Sequence, residues 1–332
     1  MLEESRLPLH AAYDLAMLDL DGVVYVGRAA VPGAVRHLAA AREAGQHLAF
    51  VTNNASRPPG EVASHLRALG IPAAEQDVVT SAQAAAHLLA TSLPEGARVF
   101  LLGGTGLDEA LRDEGLTPVL DPGAHPVAVV SGYGPDVPWR RVMQAATLIR
   151  AGLRWVASNT DLTIPTADGP GPGHGVQVRM LADFSGVEPE VAGKPARPLL
   201  DETVRRVGGS RPLMVGDRLD TDIEGARNAG VDSLLVLTGV TGLAELVTAG
   251  PRLRPQFLAS DLAGLATPHP RPAPDGDRVR CGGWAVTVTH GRLAVTGEGS
   301  ADDWWRAAAV AAWRHLDRNG RPCDTSGVRP PG

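Results

Sequence analysis

The sequence predicts an α/β fold built on a parallel sheet, and three observations carry that reading. Short apolar runs alternate with helix-length amphipathic stretches from the first residues onward. Acidic and amide residues stand directly after several of those runs, where a parallel sheet presents its carboxyl edge to ligands. At 332 residues the chain exceeds one ordinary domain of about 150 and can bury two or three cores.

Composition narrows the function classes. Hydrophobic residues at 44% and charged residues at 20% describe a globular chain and not a disordered tether. A net charge of -6 with scattered arginines lacks the electrostatic footprint of a nucleic-acid binder. Cys281 and Cys323 stand far apart with no Cys/His spacing, which argues against a disulfide framework or a zinc site and fits a reducing cytoplasm. No apolar run approaches 18 residues, and residues 1–9 lack an apolar core of signal-peptide length, so no membrane contact is expected. Lys194 is the one lysine among 31 basic residues. Near-exclusive arginine usage reflects codon bias, and a lysine kept against it invites a chemical question that chance alone also answers.

The elements follow in order. Leu15 to Leu18 reads as a buried strand ending at Asp19, and residues 34–44 as a helix closed by Gly45. His47 to Val51 is a strand ending at Thr52-Asn53-Asn54, followed by a helix from Gly60 to Ala68 with Gly70 as its stop. Strands are expected at 99–102, 127–130 and 155–157, with helices near 81–91, 107–114 and 138–151. Asp168 to Gly175 reads as a tight Gly/Pro loop. Strands resume at 212–216 and 233–237, separated by a helix over 221–229. The Pro-rich, polar stretch 266–278 reads as a linker. Beyond it, 284–289 and 292–296 form a hairpin about His290-Gly291, and Ser300 caps a helix over 301–317. Four of the six tryptophans fall in this tail, which must pack onto something.

Four segments carry chemistry. Asp19 and Asp21 leave the first strand on the same side, about 6–7 Å apart by strand rise. One of such a pair can attack while the other moves a proton, although Asp-x-Asp-Gly is also an ordinary turn. Thr52, Asn53 and Asn54 offer a hydroxyl, amides and backbone N–H groups suited to phosphate oxygens, or to helix capping. Gly193-Lys194-Pro195 gives the lone lysine a rigid setting for neutralising charge beside a phosphoryl group. Asp217, Asp220 and Asp222 follow another apolar strand, a pattern for a hard cation such as Mg²⁺ or for acids at a helix start.

Asp19-x-Asp21-Gly22, the strand ending Val51-Thr52-Asn53, Lys194, and Gly216-Asp217 with Thr221-Asp222 together resemble, in order, the four motifs of the haloacid-dehalogenase superfamily of phosphatases. The resemblance spans roughly residues 13–262. It implies a Rossmann-like core, 1–82 and 186–265. Thr52 and Lys194 are 142 positions apart, so a large α/β cap at 83–185 is expected, as in the subclass of phosphoglycolate, pyridoxal-phosphate and para-nitrophenyl phosphatases. Asn159-x-Asp161 with Pro165 and the loop through Gly175 resembles the substrate-facing part of that cap. Ile164 stands where pyridoxal-phosphate members are expected to carry His, which disfavours that substrate.

By the same resemblance Asp19 attacks phosphorus to form an aspartyl-phosphate, and Asp21 protonates the leaving alcohol and then activates water. Mg²⁺ is expected on Asp19, the Asp21 backbone carbonyl and Asp217, with Asp222 orienting its waters; whether Asp220 contributes stays open. Thr52, Asn53, Asn54 and Lys194 are the expected substrate-binding residues. The segment 279–332 lies outside the motif region. It resembles a half of the acetyltransferase (GNAT) fold and an appendage of glycerol-3-phosphate phosphatases of actinobacteria. Glycerol 3-phosphate, in glycerophospholipid metabolism, is therefore the first substrate expected, with 2-phosphoglycolate or a nucleoside monophosphate as alternatives, and the cap or tail is the expected surface for any homo-oligomer. Two other readings compete: a non-catalytic phosphate-binding protein on this fold, and a dinucleotide enzyme. The latter fails because a fingerprint starting at Gly104 would need its third glycine at Glu109.

Overall fold

The computed structural model describes residues 2–166 and 169–331. Six strands build its main sheet: β1 (Leu15–Leu18), β2 (His47–Thr52), β3 (Val78–Thr80), β4 (Pro212–Gly216), β5 (Asp232–Val236) and β6 (Phe257–Ala259), in the order β6-β5-β4-β1-β2-β3. β1 is apolar and buried at every position because helices cover both faces of a parallel sheet. Its register against β4 sets Leu18 opposite Val215, and β4 in turn sets Gly216 opposite Leu235. The chain divides into two compact units, Met1–Leu48 with Gly209–Gly332, and Ala49–Gly208, the boundary falling inside β2.

The first unit's helix Ala34–Glu43 ends where Gly45 takes a φ of +90°, as its sequence predicts. In the second unit, helix Pro59–Ala68 opens on proline, whose missing N–H costs nothing at a first turn. That unit also holds an all-parallel five-stranded sheet, Glu190–Val191, Arg154–Ala157, Ala128–Ser131, Arg98–Leu102 and Thr117–Val119 in spatial order. Phe100 and Trp155 are buried in its core with Ala145, Ile149 and Leu181.

Three expectations need correction. Asp168 lies outside the described residues, but Gly169–Pro172 is not loop: it pairs antiparallel with Thr163–Thr166. A two-stranded ladder has only free edges and tolerates proline where no amide donor is needed. The helix expected over 221–229 begins earlier, as a π turn at Leu219–Ile223, before an α-helix at Glu224–Ala229. The supposed linker is tied down: Ser5 and His269 exchange backbone hydrogen bonds of 2.9 and 2.8 Å, and Ala273–Asp275 is already a strand.

That strand, β7, opens a four-stranded antiparallel meander with β8 (Arg278–Cys281), β9 (Trp284–Thr289) and β10 (Arg292–Gly297). His290 and Gly291 take φ of +50° and +76°, the two left-handed positions of a tight hairpin turn. The Ser300 hydroxyl accepts from the Asp303 amide at 3.2 Å and starts the helix Ala301–Asn319. Trp304, Trp305 and Trp313 of that helix are buried in one cluster with Leu235 of β5, Leu246 and Leu258 of β6. The tail therefore packs on the edge of the main sheet. Trp313 is fully buried, donates its indole N–H to the Leu246 carbonyl at 2.7 Å and carries the Arg254 guanidinium 5.2 Å from its ring centre. Trp313→Ala is expected to lower unfolding free energy by roughly 3–5 kcal/mol, the usual cost of truncating a buried tryptophan, while kcat is unchanged; urea unfolding and phosphate release measured on the same preparation check this.

Candidate active site

In the first unit the acidic residues gather where β1 and β4 end. The Asp19 amide donates to the Val215 carbonyl at 2.8 Å, extending the ladder one residue beyond β1. Asp217 follows β4 and is fully buried. Its Oδ2 accepts from the Val240 amide at 2.6 Å. Asp222, also buried, accepts from the Arg218 amide at 3.1 Å. One carboxylate oxygen from each of Asp19, Asp217 and Asp222 lies within 4.8 Å of the others. Asp222 thus joins the two acids expected to hold a cation, whereas Asp220 is exposed and paired with Arg218 at 2.9 Å. These all-oxygen donors, drawn together in buried surroundings, fit Mg²⁺.

Glycines make the crowding possible. A Cβ on Gly216 would lie 2.2 Å from Asp222, and one on Gly239 would lie 2.0 Å from Asp217 Oδ2. Gly22 combines a φ of +83° with only 2.6 Å to that same oxygen. Its amide donates to the Tyr25 carbonyl and its carbonyl accepts from the Thr238 hydroxyl at 2.6 Å, closing the loop that carries the exposed Asp21. The 238–240 segment was not singled out from sequence; its signal is a Thr-Gly pair just after an apolar strand.

In the second unit the remaining expected residues form a network centred on Asn53. Its carboxamide bonds both sides of the Lys194 backbone: Nδ2 donates to the Lys194 carbonyl at 3.0 Å, and Oδ1 accepts from the Lys194 amide at 2.9 Å. Nδ2 also reaches Asp161 Oδ1 at 3.1 Å, and the Asn53 carbonyl accepts from Asn159 Nδ2 at 2.7 Å. Gly193 is needed there, since a Cβ would lie 2.6 Å from Asn53 Oδ1. Lys194 itself is 1% exposed. Thr52 Oγ1 accepts from the Asn54 amide at 3.1 Å, leaving its O–H to donate. The Asn54 side-chain oxygen is occupied by the Ser56 amide and hydroxyl, at 2.9 and 2.7 Å, so it shapes the turn.

His174, unremarked in the sequence, is 3% exposed and opens the helix His174–Ser185. Its Nδ1 donates to the Asn159 carbonyl at 2.8 Å. On either side, a Cβ on Gly173 would lie 2.3 Å from the Asp161 carbonyl and one on Gly175 2.1 Å from that of Thr160. The Gly-His-Gly triplet therefore clamps the loop whose Asn159 and Asp161 hold Asn53. Gly104 and Gly106 serve packing too: Cβ atoms there would press on the carbonyls of Ser56 and Ala55 at 3.2 and 2.6 Å.

Family models for haloacid dehalogenase-like hydrolases match residues 16–117 and 191–265. The chain is also 43% identical over 329 residues to the D-glycerol 3-phosphate phosphatase of Mycobacterium tuberculosis, covering 93% of this chain and 89% of that protein. The chain belongs to the haloacid dehalogenase-like hydrolases. It is a phosphomonoester hydrolase. The crystal structure of the glycerol phosphate phosphatase from M. tuberculosis in complex with magnesium superposes with a TM-score of 0.86 at 42% identity, over 96% of this chain and 94% of that one. A match that extensive includes most of residues 279–332. By contrast, a 5'-nucleotidase of Bacillus subtilis is 36% identical over 227 residues, 68% of this chain and 87% of its own length. The core and insert are thus shared widely in this hydrolase family, and the tail links the chain to the mycobacterial relative.

Burial lowers the His174 pKa from 6.5 to about 4. Between those values the unfolded chain binds a proton that the folded chain refuses, so this group's contribution is full above pH 6.5 and shrinks as pH falls toward 4, by up to about 3 kcal/mol. The stability difference between wild type and His174→Gln is expected to be flat above pH 7 and to move against wild type between pH 6.5 and 4; parallel unfolding curves at all pH values would refute it.

Proposed function

We propose that the chain hydrolyses glycerol 3-phosphate through a phosphorylated Asp19. The observation that carries the reaction type is the meeting of Asp19, Asp217 and Asp222 oxygens within 4.8 Å, which a hard cation must neutralise. Asp19, the Asp21 backbone carbonyl and Asp217 would hold Mg²⁺, and Asp222 would orient its waters. When bound, the ion supplies charge neutralisation between the carboxylates and an incoming phosphate. The Thr52 hydroxyl and the Asn53 main-chain amide donate to phosphoryl oxygens, the Asn53 carboxamide being engaged with Lys194 and Asp161, and the Lys194 ammonium offsets the charge that spreads over those oxygens in the transition state. The Asp19 carboxylate attacks phosphorus in line while Asp21 protonates the departing alkoxide. Asp21 then takes a proton from the water that cleaves the acyl phosphate, restoring Asp19.

Residues 83–185 act in this reading as the specificity cap on a core of 1–82 and 186–265. Likeness to the mycobacterial phosphatase across the tail supports the choice of substrate. The insert's aromatic side chains favour it as well. Of its five, Phe100 and Trp155 are spent in the insert's core and the Phe184 ring is covered by Arg150 at 5.4 Å, which leaves only Tyr133 and the exposed Trp139 to stack on a base or pyridine ring. Small size and charge thus define the partner. The free, buried thiols of Cys281 and Cys323 suit the cytoplasm. Among the described residues no helix is long and apolar enough to cross a membrane.

Asp19→Asn is expected to reduce phosphate release by about 10³-fold or more with the fold intact, as loss of a nucleophile does; near wild-type turnover would exclude the mechanism. Chelated enzyme is expected to be inactive and restored by Mg²⁺, whereas Asp217→Ala stays inactive at every Mg²⁺ concentration in a metal titration. Comparing kcat/KM for glycerol 3-phosphate, 2-phosphoglycolate, a nucleoside monophosphate and pyridoxal phosphate should put the first ahead, and a nucleotide leading by tenfold would overturn the assignment.

A further inference from the structure

We propose that the C-terminal appendage contains a second anion-binding site, one that takes a phosphate-bearing polyanion. A cavity of about 620 Å³ opens between the exposed face of helix Ala301–Asn319 and the meander, near the His290-Gly291 turn. That volume lies within the range of small-molecule sites. Three guanidiniums, Arg314, Arg318 and Arg321, line it against a single carboxylate, Asp277, in a chain whose net charge is -6.

The arrangement is not explained by helix electrostatics. Cations are favoured only in a helix's last turn, which accounts for Arg318 but not for Arg314, more than a turn earlier, or Arg321, past the helix end at Asn319. Arg314 and Arg318 are also like charges four residues apart, an unfavourable pair on a helix. Their existing partners are weak. Arg314 reaches only the carbonyls of Arg278 and Gly276, at 3.5 and 3.3 Å, and Arg318 lies 3.8 Å from an Asp277 carboxylate that is 95% exposed. Among the described residues neither Arg314 nor Arg321 has a carboxylate within 4.0 Å. Elsewhere in the same unit Arg254 grips Asp317 through two bonds of 2.7 and 2.6 Å.

His315 and Asn319 add polar side chains to the lining. Asn319 Nδ2 donates to His315 Nδ1 at 3.1 Å, which puts the neutral ring's proton on Nε2, a buried atom with no acceptor among the described residues. Guanidiniums present paired N–H groups that match phosphate oxygens, and several of them around one cavity suit more than one anionic group. Val279, Val288 and Ala311 give the cavity an apolar floor for the organic part of such a compound.

Isothermal titration of the full chain in EDTA with inorganic pyrophosphate tests the site, comparing wild type with the exposed double variant Arg318→Glu/Arg321→Glu. Saturable binding is expected in wild type, with Kd raised at least tenfold in the variant and kcat/KM for phosphomonoester hydrolysis unchanged. No saturable binding in wild type, or equal Kd in both proteins, overturns the proposal, as does binding abolished by 0.15 M salt, which marks a diffuse counter-ion cloud. Should the charge reversal disturb catalysis, Arg321→Gln decides in its place: a weakened Kd supports the site and an unchanged one removes it.

Discussion

Mutual repulsion of three carboxylates is the constraint around which the first unit is arranged. Two unit charges about 4 Å apart cost roughly 4 kcal/mol at an effective dielectric constant of 20, and Asp19, Asp217 and Asp222 bring three within 4.8 Å. Parallel pairing of β1 with β4 sets two of them side by side. Main-chain amides of Val240 and Arg218 then supply the partial positive charge that the fold itself can offer. Glycine at 22, 216 and 239 removes the atoms that would hold the acids apart. The remaining imbalance is what makes a divalent cation part of the design and not an accessory.

The second unit solves a different problem, fixing the backbone from which a buried ammonium projects. The Asn53 carboxamide grips the Lys194 peptide as donor and acceptor at once, a planar match that neither Asp nor Ser could reproduce. Asn159, Asp161 and His174 in turn hold Asn53 and its loop, so a strand end, a hairpin and a helix start are joined through one side chain.

Strand positions were legible because uninterrupted apolar runs in a parallel sheet leave no competing reading, as Leu15–Leu18 and Pro212–Gly216 illustrate. The acidic positions were legible for the same reason, each following such a run. What the sequence concealed depends on partners far along the chain. The ladder of Gly169–Pro172 has the composition of a loop and is a strand only through Thr163–Thr166. His174 has no pattern of its own, and its role exists only where the Asn159 carbonyl meets it. Residues 266–278 lack apolar spacing because His269, held by Gly264 and Arg306, anchors them through polar contacts.

The solitary lysine has a consequence outside catalysis. With Lys194 1% exposed and every other basic side chain an arginine, the folded surface described here offers no side-chain amine to solvent. Apart from the α-amino group, acylating reagents that decorate most proteins at many lysines find no amine here until opening around Gly193 uncovers Lys194. Modification at this one nitrogen is consequently a built-in reporter of local breathing, reading out how often the network around Asn53 comes apart.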